Sequence, residues 1–72
     1  MNTYLLPVVD DEYYPFIIKV VARSFQEAKD KFMKLFYDRF DWELFVDWDD
    51  FLQYACEEKK WGIGEISDKD DF

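Results

Sequence analysis

The chain has no histidine, a single cysteine, two glycines and two prolines. Each scarcity excludes a chemistry. Without histidine no unperturbed side chain titrates near neutral pH, and no imidazole can hold a metal. One cysteine, Cys56, allows neither an intramolecular disulfide nor a zinc site. Gly62 and Gly64 are too few for a phosphate-cradling loop. Hydroxyl nucleophiles are limited to Thr3, Ser24 and Ser67. No stretch approaches the ~20 apolar residues that span a bilayer. The opening Met1-Asn2-Thr3 carries no basic region, and the apolar run after it stops at Pro7, so no cleavable signal is expected. A soluble, cytoplasmic protein in a reducing compartment is the expectation.

Aromatic residues and acids are abundant instead. Eight Phe, five Tyr and three Trp stand in 72 residues. A chain this short buries only about 60% of the surface its unfolded form exposes, and rings that bury roughly 150–250 Å² each offset that handicap. Half of the residues are hydrophobic, which argues against disorder. One domain over residues 1–72 is expected. Sixteen rings exceed what one small core encloses, so some are expected at the surface. They either lie there flat or form a partner or homodimer interface.

The charge is unevenly distributed. Residues 1–40 carry six acids and six bases; residues 41–72 carry eleven acids against Lys59, Lys60 and Lys69. The whole net charge of −8 therefore belongs to the second part. Such a field repels nucleic acid and anionic membrane and attracts basic surfaces.

Local patterns predict an α+β fold in the order ββααβ, a small antiparallel sheet packed on two helices. Tyr4–Val9 and Phe16–Ala22 flank the polar turn Asp10-Asp11-Glu12 and read as a hairpin. In the second run Phe16, Ile18, Val20 and Ala22 share the apolar face. Pro7 and Pro15 cannot donate to a ladder, which assigns each to an edge, a strand start or a bulge. Ser24 with Glu27 forms a capping box for a helix to about Phe40. Phe25, Ala28, Phe32, Leu35 and Phe36 line one face of it, and Glu27–Lys31 and Asp30–Lys34 have i,i+4 spacing. Asp41–Val46 is a connector or a short strand. Asp47 caps a second helix from Trp48 to Lys59 or Lys60, with Gly62 as its stop. Ile63–Ile66 is expected as a last strand, and the acidic tail 67–72 is expected to fray. The predicted core is Phe16, Ile18, Val20, Phe25, Phe32, Phe36, Trp48, Phe51 and Leu52, with Cys56 half-buried beside it.

The second helix carries the strongest functional signal. At 100° per residue Trp48, Phe51, Leu52 and Ala55 point inward. Asp47, Asp50, Tyr54, Glu57 and Glu58 gather on the other side, a carboxylate stripe with a tyrosine in its middle. Asp41 and Glu43 extend it upstream. Carboxylates take guanidinium pairs and a ring takes a cation over its face, so the stripe suits an Arg/Lys-rich partner. A charged outer face is also what an ordinary surface helix shows. Paired-acid hydrolysis and magnesium chemistry are the enzymatic alternatives. Against them, neither Asp47/Asp49/Asp50 nor Asp68/Asp70/Asp71 has the glycine or the terminal glutamate of a calcium loop. The chain is also short for a deep pocket. A non-catalytic protein with no cofactor and no metal is expected.

In size, charge, aromatic richness and the acidic helix bearing Asp47, Asp50, Glu57 and Glu58, the chain resembles the small acidic anti-defence inhibitors of bacteriophages, the anti-CRISPR and DNA-mimic proteins. The resemblance implies an inhibitor that blocks the basic nucleic-acid-binding surface of a nuclease or related enzyme. It would touch neither nucleic acid nor membrane itself. The alternative is a structural or adaptor subunit, or a homodimer, built on an aromatic-rich interface.

Overall fold

A computed structural model describes residues 1–68. Strands β1 (Asn2–Val9) and β2 (Pro15–Ala22) form the expected hairpin, in a register from Asn2 opposite Ala22 to Val9 opposite Pro15. Asp10 builds the turn. Its Oδ1 accepts the N–H of Glu12 at 2.9 Å and of Tyr14 at 3.0 Å, and its carbonyl accepts the Tyr13 N–H at 3.0 Å. Such local bonding is the usual role of aspartate at a turn. Tyr13 sits in the left-handed region at φ 66°.

Helix α1 spans Phe25–Phe40, and the Ser24 hydroxyl accepts the Glu27 N–H as the capping box predicts. Helix α2 spans Trp48–Tyr54 and is capped by Asp47, whose Oδ1 accepts the Asp50 N–H at 2.9 Å. It runs on into a wider π-turn over Ala55–Lys59. The two helices end alike. A non-glycine residue turns left-handed, Asp41 at φ 59° and Lys60 at φ 61°, and a tryptophan follows. Trp42 donates its N–H to the Phe36 carbonyl at 3.3 Å, and Trp61 donates to the Ala55 carbonyl at 2.8 Å. Gly62 is therefore not the stop. The helix ends before Lys60, and Gly62 starts a strand.

The sheet is antiparallel and has four strands rather than the expected three. β1 is central, with β2 on one side and both β3 (Gly62–Ile63) and β4 (Ser67–Asp68) on the other. Pro7 explains why the last strand is divided. Its carbonyl accepts the Gly64 N–H at 2.8 Å, but proline has no N–H to return. The ladder breaks there. Between the pairs Val8–Ile63 and Leu5–Ser67, β1 has Leu6 and Pro7 while the outer chain has Gly64, Glu65 and Ile66. One extra residue against two is a bulge. Pro15 opens the edge strand β2.

This arrangement corrects two expectations. The last strand is not Ile63–Ile66 but two short pieces on either side of those residues' bulge. Ser67 and Asp68, expected to fray, pair with Leu5 and Tyr4, and the nearly buried Asp68 carboxylate accepts the Asn2 Nδ2 at 2.7 Å. The remainder of the expected tail, residues 69–72, lies outside the described residues.

Both helices cover one face of the sheet. Tyr4, Leu6, Val8 and Ala22 point into the core, and Phe16, Ile18 and Val20 pack half-buried against it. Ten rings then form one connected network: Phe16, Phe32, Phe36, Phe40, Trp42, Phe45, Trp48, Phe51, Tyr54 and Trp61. Phe36 is its hub, with Trp42 at 4.6 Å, Phe51 at 5.0 Å, Phe40 at 5.1 Å and Trp61 at 6.0 Å between centroids. Edge-on and tilted contacts of this kind add about 0.5–1.5 kcal/mol per pair beyond area burial.

Of the predicted core, Phe32, Phe36 and Phe51 are fully buried, and Trp48 and Leu52 pack half-buried against it. Phe25 is a correction. At the first position of α1 it lies at the rim, 47% exposed, with its ring edge-on to Tyr4 at 4.9 Å. Trp42, read as part of a connector, is buried instead. Cys56, expected half-buried, is exposed. The Asp30–Lys34 pair is replaced by Lys34–Asp38 at 3.3 Å, while Asp30 accepts Gln26 Nε2; Glu27–Lys31 forms at 3.4 Å.

Candidate functional site

The connector and the second helix together carry the predicted acidic residues. Trp42 anchors the start of the connector in the core, and Phe45 packs on Phe51 at 5.6 Å and on Tyr54 at 5.1 Å. The chain between and around these two anchors faces outward. Asp41, Glu43, Asp47, Asp50, Glu57 and Glu58 are all exposed. None of the described carboxylates from Asp41 to Glu65 forms an ion pair; the ion pairs among described residues, Glu27–Lys31 and Lys34–Asp38, both lie on α1.

The carboxylates are not equivalent. Asp47 is occupied as the helix cap. Glu57 accepts Gln53 Nε2 at 3.3 Å and so belongs to Gln53's row. A π-turn holds more residues per turn than an α-helix. The stripe drawn at 100° per residue therefore loses its alignment beyond Tyr54. Asp41 holds the left-handed position that ends α1. Asp41, Glu43, Asp50 and Glu58 are the candidate acids with no side-chain bond among the described residues.

Tyr54 departs from expectation. Its ring is half-buried, packed against Trp42 at 5.5 Å and Phe45 at 5.1 Å, with Lys59 Nζ 5.7 Å from its centroid. It is a support for the connector rather than a bare ring between acids, and its cation is supplied from within the chain.

Two residues that the sequence reading passed over lie among the acids. Leu44 is 65% exposed and Val46 92% exposed. Leu44 lines a shallow groove with Tyr37, Met33 and Phe45 between α1 and the connector. The signal was present as an apolar residue on each side of Phe45, but an apolar run in a short loop also fits a buried strand. Exposed apolar side chains therefore stand among exposed acids on this surface.

No group of three described acidic or cysteine side chains converges as a metal site would require. A concavity of about 800 Å³ lies at the hairpin end of the sheet, lined by Pro7, Val9, Pro15, Ile17, Gly62 and Gly64 among others, and none of the residues lining it is titratable. No helix is long and apolar enough to cross a membrane among the described residues. No protein-family model, curated protein or solved structure matches the chain.

Proposed function

We propose that this chain is a non-catalytic docking module whose acidic connector and second helix occupy the basic, nucleic-acid-contacting surface of another protein. It would act as a stoichiometric inhibitor of a nuclease or related enzyme, in the manner of the small acidic phage anti-defence proteins it resembles. One observation carries the reading: exposed carboxylates from Asp41 to Glu58 without internal ion pairs, set around exposed Leu44 and Val46. Unpaired acids keep their full field for a partner. The apolar knobs add contact that a nucleic acid mimic alone would lack. The alternative of an aromatic-rich interface has less support, because twelve of the fifteen rings among the described residues contact another ring inside the molecule.

The test is Glu57→Lys with Glu58→Lys. Both lie near a helix end where negative charge is locally unfavourable, so the variant keeps or raises the melting temperature. It should lose partner affinity by more than tenfold, about 1.4 kcal/mol. The assay is capture from a cell lysate by immobilised wild type and variant, at low and high salt, with duplex DNA as competitor. Captured nucleic-acid-binding proteins that DNA and salt release, and that the variant fails to hold, support the reading. Equal capture by the variant, or retention at high salt, overturns it.

A further inference from the structure

Among the described residues β2 pairs only with β1, which leaves it a free strand edge with Lys19 and Arg39 beside it. Because Pro7 turns its carbonyl toward Gly64, its register partner Ile17 turns its own N–H and C=O away from β1. The same holds for every second residue, so Ile17, Lys19 and Val21 present their backbone groups to the free edge. The Val21 carbonyl is already taken by Lys31 Nζ. Pro15, also in phase with Ile17, has no N–H to offer. The open window is therefore Ile17 to Lys19, closed at one end by proline and at the other by Lys31.

Above this window runs a groove of about 390 Å³, lined by Phe16, Ile17, Ile18 and Lys19 of β2 and by Leu35, Arg39 and Phe40 of α1. Lys31, Leu35 and Arg39 are four residues apart on one flank of α1, which places them in a single row over the edge. Leu35 is half-buried and Phe40 is 37% exposed. Lys19 and Arg39 have no ion pair among the described residues.

We propose that the β2 edge is a strand-addition site for an extended peptide of a partner protein, with apolar residues alternating with carboxylates. Backbone bonds to Ile17 and Lys19 would supply affinity, as in other strand-addition complexes. The inward side chains of the added strand lie under Leu35 and Phe40 and continue the apolar face of Phe16 and Ile18. The outward ones meet Lys19, and Arg39 stands at the rim. Charge selects this occupant. A second copy paired edge to edge would bring two copies of Lys19 and Arg39, neither ion-paired among the described residues, to the same seam, and like charges so placed are destabilising. This site is independent of the acidic surface, so either can fail alone.

A blocked peptide of alternating valine and glutamate, and its lysine counterpart, are titrated into the isotope-labelled chain and followed by amide chemical shifts. The expected result is saturable shifts centred on Ile17 and Lys19, with the glutamate peptide binding more than about fivefold tighter, about 1 kcal/mol. Lys19→Glu with Arg39→Glu should invert that preference. Both residues are exposed and unpaired, and the peptide comparison in the wild type stands whether or not the variant folds. Equal binding of the two peptides, no saturable binding at millimolar peptide, or shifts centred on α2 would overturn the proposal. So would a dimer in sedimentation whose Ile17 and Lys19 amides are protected before peptide is added, which would assign the edge to a second copy.

Discussion

The two helices share a design and differ in what is done with their charges. Each begins at a side-chain cap, Ser24 or Asp47, and each ends in a left-handed residue followed by a tryptophan. The two tryptophans meet, with centroids 5.1 Å apart. Yet α1 answers two of its three acids with its own lysines, Glu27 with Lys31 and Asp38 with Lys34. Helix α2 and the connector before it answer none. Exposed pairs contribute little to stability, about 0.3–0.5 kcal/mol for helical i,i+4 pairs, so folding does not demand the difference. What distinguishes the two is the field left over for other molecules. α1 is a scaffold helix with four bases against three acids, and α2 presents net negative charge.

The largest test of this comparison asks whether the scaffold depends on α1. Phe36 touches the connector, α2 and the segment after it through one ring. Phe36→Ala should cost about 3–5 kcal/mol, enough to unfold a domain this small. Circular dichroism melts would measure it. A variant melting within a few degrees of wild type would mean that the hub does not hold the two helices together.

A smaller effect is expected on the other side of the sheet. A Cβ on Gly64 would stand 2.6 Å from Pro7 Cγ and 3.2 Å from the Pro7 carbonyl oxygen. Gly64→Ala should therefore destabilise by about 1–3 kcal/mol, the usual cost of overpacking. In a Pro7→Ala background the ring is gone and the penalty should shrink. Additive effects of the two changes in a double-mutant cycle would show that the clash is not what makes this position glycine.

The caps come next. Ser24→Ala and Asp47→Ala should each cost about 1 kcal/mol. Equal losses in chemical denaturation would show that the two helices are capped alike. A negligible loss at Asp47 would release that carboxylate from structure and assign it wholly to docking.

What was legible in the sequence was local. Both caps could be read because the acceptor lies within three residues of the N–H it satisfies. The inward face of β2 could be read because strand alternation survives any tertiary context. The helix ends near Phe40 and Lys59 could be read as well, but not the residues that make them, since neither Asp41 nor Lys60 carries the glycine signal that marks a left-handed cap. Burial of Trp42 depends on Phe36, Phe51 and Trp61, which no window around Trp42 contains. Tyr54 was misplaced for a related reason. A regular helical wheel knows nothing of a connector that folds back over it, nor of a π-turn that changes the pitch. The bulge opposite Pro7 was one of three alternatives the proline allowed, and only the partner strand decides among them.

The smallest effect has the opposite sign and separates folding from presentation at the helix ends. A left-handed conformation costs an L-residue roughly 1–2 kcal/mol. Glycine removes that cost but gives back about 0.4–1 kcal/mol through the freedom it adds to the unfolded chain. Lys60→Gly should therefore stabilise by up to about 1 kcal/mol. Asp41→Gly should gain less, because aspartate tolerates the left-handed region better than lysine does. The two variants also alter charge in opposite directions. Lys60→Gly deepens the negative field of the second part, and Asp41→Gly removes one carboxylate from its border. If the acidic surface docks as proposed, Lys60→Gly should leave or strengthen partner capture while Asp41→Gly weakens it slightly, both in proteins at least as stable as wild type. Loss of stability in Lys60→Gly, measured by the denaturation midpoint, would show that its side chain over the helix end matters more than its backbone conformation.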